Sequence, residues 1–385
     1  MNRIRICDIA EQIRGVSYKP SDIHDTLNEN SVILLRANNI FDGKINFDDV
    51  VYVDKSKVSG KQYLKKGDIL ICASSGSKQL VGKAASVNVD VECTFGAFCK
   101  VVRPTNDVVD YLGVYFQSDV YRRKISELSV GANINNIKNE HIDLLEIPNY
   151  DEQVTRNFVD KIIRIQKIIE CRKQQLQQLD ELVKARFVEL FGDPETNTKN
   201  YKIVMLSEIA EYYNGLTYSP DNVSEDGTIV LRSSNIQNSQ LDFADTVRVD
   251  CTIKEKLFVR DNDILMCSRN GSARLVGKVA LIKNISEPMS FGAFMMIIRS
   301  KYYPYLMTYF QMDAFRRQIK TGATTTINQI TGNMLNKISL PLPEINEIND
   351  FTIFVEQVEK SKFVVQKALD EAQTLFDSLM QEYFG

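Results

Sequence analysis

Apolar residues recur in steps alternating between four and three along two stretches of this chain. Between positions 151 and 192 they are Phe158, Ile162, Ile165 and Ile169, then Leu176, Leu179, Val183 and Leu190. Between positions 344 and 385 they are Phe351, Val355, Val358, Val365, Leu369, Ala372, Phe376, Leu379 and Tyr383. This is a heptad seam, the spacing that packs one helix lengthwise on another. The pattern predicts two helices of roughly 40 residues, each about 60 Å long at 1.5 Å per residue. Both close on Phe-Gly, at Phe191-Gly192 and Phe384-Gly385. Gly192 followed by Asp193-Pro194 is a helix stop.

The stretches preceding these helices also match. Ile6-Cys7-Asp8-Ile9-Ala10-Glu11 and Gly15-Val16-Ser17-Tyr18-Lys19-Pro20 return as Leu206-Ser207-Glu208-Ile209-Ala210-Glu211 and Gly215-Leu216-Thr217-Tyr218-Ser219-Pro220. The apolar run ending Leu35-Arg36 is answered by Leu231-Arg232, and each leads into a polar turn closing on Asn39-Ile40 or Asn235-Ile236. Asp68-Ile69-Leu70-Ile71-Cys72, a Gly/Ser segment and Leu80-Val81-Gly82-Lys83 are matched by Asp263-Ile264-Leu265-Met266-Cys267, a similar segment and Leu275-Val276-Gly277-Lys278. Such a run reads as strand, exposed loop, strand. Phe95-Gly96-Ala97-Phe98 and Phe291-Gly292-Ala293-Phe294 open a further strand in each copy. Helical spacing follows from Val108 to Leu128 and from Pro304 to Lys320. The offset drifts from 200 (Ile6 to Leu206) to 193 (Phe158 to Phe351), as small loop insertions would cause, while the order of elements is constant. That is too long a period for a solenoid. The sequence predicts an α+β protein made by duplication, with four parts: residues 1–150, the helix 151–192, residues 193–343 and the helix 344–385.

Composition narrows the function by exclusion. A net charge of −3 gives no global sign of a nucleic-acid binder, so any such role must rest on local patches. No apolar run reaches the roughly 20 residues that cross a bilayer. Seven scattered cysteines without Cys-x-x-Cys fit a reducing cytoplasm and no zinc site. No Gly-x-Gly and no Gly-Lys-Ser/Thr occurs, so dinucleotide, adenosylmethionine and P-loop motifs of those types are missing. The two histidines, His24 and His141, both fall in the first copy, opposite Ser224 and Met334. A site built on them would exist in one half only. Cys72 and Cys267 correspond across the copies, but each ends an apolar run, where a small buried residue is expected. The chain reads as non-catalytic, with no cofactor or metal of its own.

The copies share apolar residues and glycines; they differ at polar loop positions. Ser74, Ser75, Ser77, Lys78 and Gln79 face Arg269, Asn270, Ser272 and Arg274. Arg36, Asn38 and Asn39 face Arg232, Ser234 and Asn235, while Asn133 and Asn136 face Thr324 and Gln329. These side-chain types read base edges in the major groove: Arg or Lys suits guanine, Asn or Gln suits adenine. The shared Lys83/Lys278, Arg122/Arg316 and Arg123/Arg317 suit phosphates, which give affinity without sequence information. Solvated polar loops on a two-domain coiled-coil adaptor that binds only proteins are the competing account.

The duplicated order of Gly-x-x-Tyr-x-Pro, Leu-Arg-x-x-Asn-Ile, Asp-Ile-Leu with its Gly-Ser loop, and Leu-Val-Gly-Lys resembles the specificity subunit of type I restriction–modification systems over essentially the whole chain. Pro148-Asn149-Tyr150-Asp151-Glu152-Gln153 looks like that family's lead-in to its central helix; Pro341-Leu342-Pro343-Glu344 lacks the Glu-Gln step. The resemblance implies two target-recognition domains held apart by an antiparallel helix pair, each reading half of a split, asymmetric DNA sequence. It implies recruitment of two methyltransferase subunits carrying adenosylmethionine, and of restriction subunits that use ATP and Mg. The helices would then act as a ruler between half-sites.

Overall fold

The computed structural model describes residues 2–77, 79–88, 91–105, 108–128, 135–321 and 328–385. It separates into two compact units, Met1–Lys173 with Lys367–Gly385, and Gln174–Gln366. The fold is α+β, and the two units repeat the same plan.

In the first unit the buried run Ile69–Cys72 lies inside a four-stranded antiparallel sheet ordered Ala84–Ser86, Ile69–Cys72, Cys99–Pro104, Ala10–Arg14. All four residues of that run are buried, as an apolar strand covered on both faces requires. Its counterpart is the sheet Glu211–Asn214, Met295–Arg299, Ile264–Cys267, Val279–Leu281. A second sheet in each unit contains one parallel pair, Ser31–Leu35 with Cys93–Phe95 and Val223–Leu231 with Met289–Phe291. Each unit is closed by pairing its first strand with its last: Arg3–Arg5 with Glu146–Pro148, and Lys202–Met205 with Ser339–Leu342.

Two repeated details pin the sheets. Asp68, 1% exposed, takes both oxygens to Arg103 at 2.8 and 2.7 Å; Asp263, 1% exposed, binds Arg299 in the same fork at 2.7 Å twice. The chain also crosses itself closely at Val16 beside Gly96 and at Leu216 beside Gly292. A Cβ on Gly15 or Gly215 would stand 2.1 Å from the carbonyl oxygen of Gly96 or Gly292. Backbone cannot yield there as a side-chain tip can. Gly215→Ala is therefore expected to destabilise the second unit by about 1–3 kcal/mol or more, the usual cost of overpacking. Denaturant unfolding checks this, and an unchanged midpoint would contradict it.

The long helices run Glu152–Phe191 and Ile345–Phe384. Gly192 ends the first at φ +77°, donating its N–H to Val188 O at 2.8 Å. Within the first unit, Phe158 stacks on Tyr383 with ring centroids 3.9 Å apart and meets Phe384 edge-on. Within the second, Phe187 and Phe191 both meet Phe351. Early residues of one helix face late residues of the other in each case, so the pairing is antiparallel. The seam is deepest where the helices also pack on a sheet-bearing part: Tyr111 meets Phe158, and Tyr305 stacks on Phe187. Leu176, Leu179 and Val183, by contrast, are half-buried. The seam also holds a cation, Lys362, with Nζ 2.8 Å from Asp180 and 2.9 Å from Glu359. Burial pulls its pKa down, but the two carboxylates outweigh that and hold it above the usual lysine value. A lone charged residue in a seam fixes helix register, at a cost in stability.

One expectation is corrected. The helical spacing from Val108 to Leu128 belongs to two helices, Val109–Tyr115 and Asp119–Leu128. The break comes at Ser118, whose Oγ accepts the Tyr121 N–H and donates to Tyr115 O, capping the second helix while closing the first. The second unit breaks at the matching place, between Tyr303–Tyr309 and Asp313–Thr321. No helix among the described residues is long and apolar enough to cross a membrane.

Candidate nucleic-acid interface

The polar loops that the sequence singles out are far apart along the chain, but several meet in each unit. In the second, the strand Ile264–Cys267 runs into Ser268 and Arg269, whose N–H groups both donate to Phe294 O at 2.9 and 3.1 Å. Arg269 forms an antiparallel bridge with Gln329. Ile330 N donates to Ser268 O, and Asn270 N to Asn328 O. Asn270 Nδ2 donates to Ser233 Oγ at 3.3 Å, bringing in the turn after Leu231. Its Oδ1 accepts the Ser272 N–H at 3.0 Å, an Asx turn that folds the loop tip. Arg269, Ser272 and Arg274 are exposed on this frame.

The first unit builds the same junction with different side chains. Ala73 and Ser74 donate to Phe98 O at 2.9 and 3.0 Å. Ser74–Ser75 pairs antiparallel with Asn135–Asn136, and Ile137 N donates to Ala73 O. Ser77, Gln79 and Asn136 are exposed there. Lys78, Asn133 and Thr324 lie outside the described residues.

The turn after each apolar strand is a second correction. Asn39 and Asn235 are buried, at 1% and 0% exposed. Their side-chain oxygens accept the Arg36 and Arg232 N–H groups at 2.8 Å. Their amides donate to Asn46 and Asp49 carbonyls, and to Asp242 and Asp245 carbonyls. With both donors spent inward, these asparagines shape the turn and offer nothing to a base edge. Arg36 and Arg232 pair with Asp49 and Asp245 at 3.0 and 2.8 Å, and Asn38 also donates to Asp49. Ser234 is half-buried beside them.

The shared basic residues divide by role. Arg122 donates to Val81 O and Gln79 O at 2.7 and 3.0 Å, and Arg316 donates to Val276 O. Both brace the far side of the Gly/Ser loop, and burial pulls the Arg316 pKa below the usual guanidinium value. Room for them comes from Gly82 and Gly277, at φ +80° and +78°, where a Cβ would stand 2.8 and 2.7 Å from the guanidinium. These arginines are thus loop braces as well as the shared basic residues singled out in the sequence. Arg317 is held by Glu195 at 2.7 Å, and Arg123 reaches Gln381 at 3.3 Å. Lys83 and Lys278 are half-buried. Lys83, Arg122 and Arg123 line a groove of about 1460 Å³ in the first unit, together with Lys44, Lys167 and Lys173.

The thiols of Cys72 and Cys267 are pushed up by burial, away from the thiolate that a nucleophile needs. His141 lies at a helix start, its Nδ1 3.4 Å from Lys138 N, and burial lowers its pKa. His24 lies 3.6 Å from Asp54. Sequence reasoning missed Ser233 and Asn328 as partners of the Asn270 loop. It also placed Phe98 and Phe294 in strands, whereas both are exposed.

A family model, the type I restriction modification DNA specificity domain, matches residues 198–371. The chain is 30% identical over 399 residues to the type I restriction enzyme EcoKI specificity subunit of Escherichia coli (strain K12), covering 98% of this chain and 86% of that one. It is 29% identical over 401 residues to the StySPI specificity subunit of Salmonella potsdam, with the same coverage. Among solved structures, the S subunit of the type I restriction-modification system from M. genitalium superposes with a TM-score of 0.55 at 14% identity, covering 100% of this chain and 96% of that one. A chain from a type I R-M system, solved to explain complex assembly and conformational transition, gives a TM-score of 0.53 at 14% identity, covering 100% and 97%. At that identity the likeness concerns the fold.

Proposed function

Because the chain belongs to the specificity subunits of type I restriction–modification systems, we propose that it reads a split, asymmetric duplex DNA sequence, one half with each unit. The observation that carries this is the junction described above. Each unit gathers loops from distant parts of the chain on one frame, and the exposed side chains on that frame differ between the units. Ser77, Gln79 and Asn136 would read one half-site, and Arg269, Arg274 and Gln329 the other. Two identical scaffolds with different reading groups are what an asymmetric target requires. Phosphate contacts would fix the register of the duplex without adding sequence information.

The chain itself does no chemistry in this account. It recruits two methyltransferase subunits, which bring adenosylmethionine, and restriction subunits, which bring ATP and Mg, and it acts in the cytoplasm. The domains would be residues 1–150 and 193–343, each followed by its long helix. With a net charge of −3, the isolated chain is expected to bind DNA weakly.

The test is binding of a target duplex by the chain assembled with methyltransferase subunits, across a salt series. With six to ten phosphate contacts, affinity is expected to fall on the order of 10³–10⁵ between about 50 and 200 mM salt. A protein-only adaptor would show no such slope.

A further inference from the structure

Phe98 and Phe294 stand at equivalent places in the two units and are 72% and 60% exposed. Each occupies the third position of a tight turn, Gly96–Cys99 or Gly292–Met295, closed by an N–H to carbonyl bond of 2.8 Å. The exposed positions of such turns ordinarily carry Gly, Asn, Asp, Ser or Pro. Here both copies carry Ala-Phe. The residue is not left on a loose tip, because its backbone carbonyl accepts two N–H groups from the base of the Gly/Ser loop. In the second unit the Arg269 guanidinium lies over the Phe294 ring, 5.4 Å from its centroid.

Two facts decide what such a ring is for. Its backbone is tied to the base of the reading loop, so the ring stands beside whatever the loop meets. It is also the same residue in both copies, while its loop neighbours change from Ser74 to Arg269 and from Gln79 to Arg274. A group kept identical across two units that read different sequences cannot be choosing between bases. Stacking on a base has that property, since every base offers a π-face. In a duplex such a face becomes available to a ring where a base step is locally unstacked.

We propose that Phe98 and Phe294 are DNA-contact residues that stack on a base at their half-sites, adding affinity without sequence preference. This rests on the reading of the loop junctions as the recognition surface.

The test uses the full chain assembled with methyltransferase subunits, and a target duplex carrying 2-aminopurine in the second half-site. Phe294→Ala is expected to weaken binding about 5- to 150-fold, the range for loss of one base–aromatic stack. It should leave the methylated sequence and the thermal unfolding midpoint unchanged. Phe294→Tyr, which keeps the ring, should restore binding, and Phe294→Leu, apolar without a π-face, should behave like alanine. The 2-aminopurine signal should change on binding with the wild type and Phe294→Tyr only. Wild-type affinity in Phe294→Ala, rescue by leucine, an altered methylated sequence, or lost methyltransferase binding would each overturn the proposal. Failure of the wild-type complex to select its target would instead overturn the recognition reading beneath it.

Discussion

Arg269→Ala combined with Arg274→Ala should relax recognition of one half of the DNA target and leave the other half as strictly required as before. Both side chains are exposed at the Gly/Ser loop of the second unit, and among the described residues neither supplies a hydrogen bond that shapes the loop. Their loss should therefore remove reading groups without collapsing the frame, which rests on Ser268, Asn270, Asn328 and Ile330. A bidentate arginine–guanine contact contributes about 1–3 kcal/mol of discrimination, so the pair stands for roughly 2–6 kcal/mol if each arginine makes one. Binding to duplexes mutated in one half-site or the other measures this. Equal loss of discrimination in both halves would overturn the assignment of these arginines to one half-site. Wild-type binding of the target by the double variant would overturn it too, since that is the behaviour of an adaptor.

Asp263→Ala should cost about 3–5 kcal/mol of stability, the loss seen when one partner of a buried ion pair is removed. The carboxylate is 1% exposed, and both its oxygens are taken by Arg299. Arg299 is also stacked on Tyr213 at 5.0 Å, and the Asp263 hydrogen bonds are the leading cause that holds its pKa above the usual value. Deleting the acid leaves a guanidinium half enclosed with its best acceptor gone. For a unit of this size the shift in melting midpoint is about 6–20 °C, at roughly 2–4 °C per kcal/mol. Asp263→Leu with Arg299→Met should recover part of the loss, because apolar replacements remove the stranded charge along with its partner. Chemical denaturation of the two variants decides it; a cost below about 1 kcal/mol for Asp263→Ala would mean that the fork is incidental.

The duplication and the helices were legible because both leave periodic marks. Heptad spacing and the repeated order of glycines and apolar runs survive insertions in loops. Other deep positions of the helices, off the heptad spacing, were less visible. Phe187, Phe191, Ile348 and Phe384 are buried because a sheet-bearing part packs over them, which periodicity along one helix cannot disclose. The polar candidates separated for a similar reason. Asn39 and Asn235 look like reading groups in sequence, yet the turn they sit in consumes their hydrogen-bonding capacity. Arg122 and Arg316 look like phosphate ligands, yet Gly82 and Gly277 open space that turns them inward. What sequence could not show for any of these is which way the side chain points. Phe98 and Phe294 illustrate the reverse case: an apolar residue assigned to a strand proves to be held in water.

If each unit reads its own half of the target, replacing one unit's domain should change one half-site alone. Exchange of residues 193–343 for the equivalent segment of a related specificity subunit, followed by methylome sequencing of cells that also carry the partner subunits, tests it most directly. The expected result is a new second half-site joined to an unchanged first half-site. A change in both half-sites, or in neither, would contradict it.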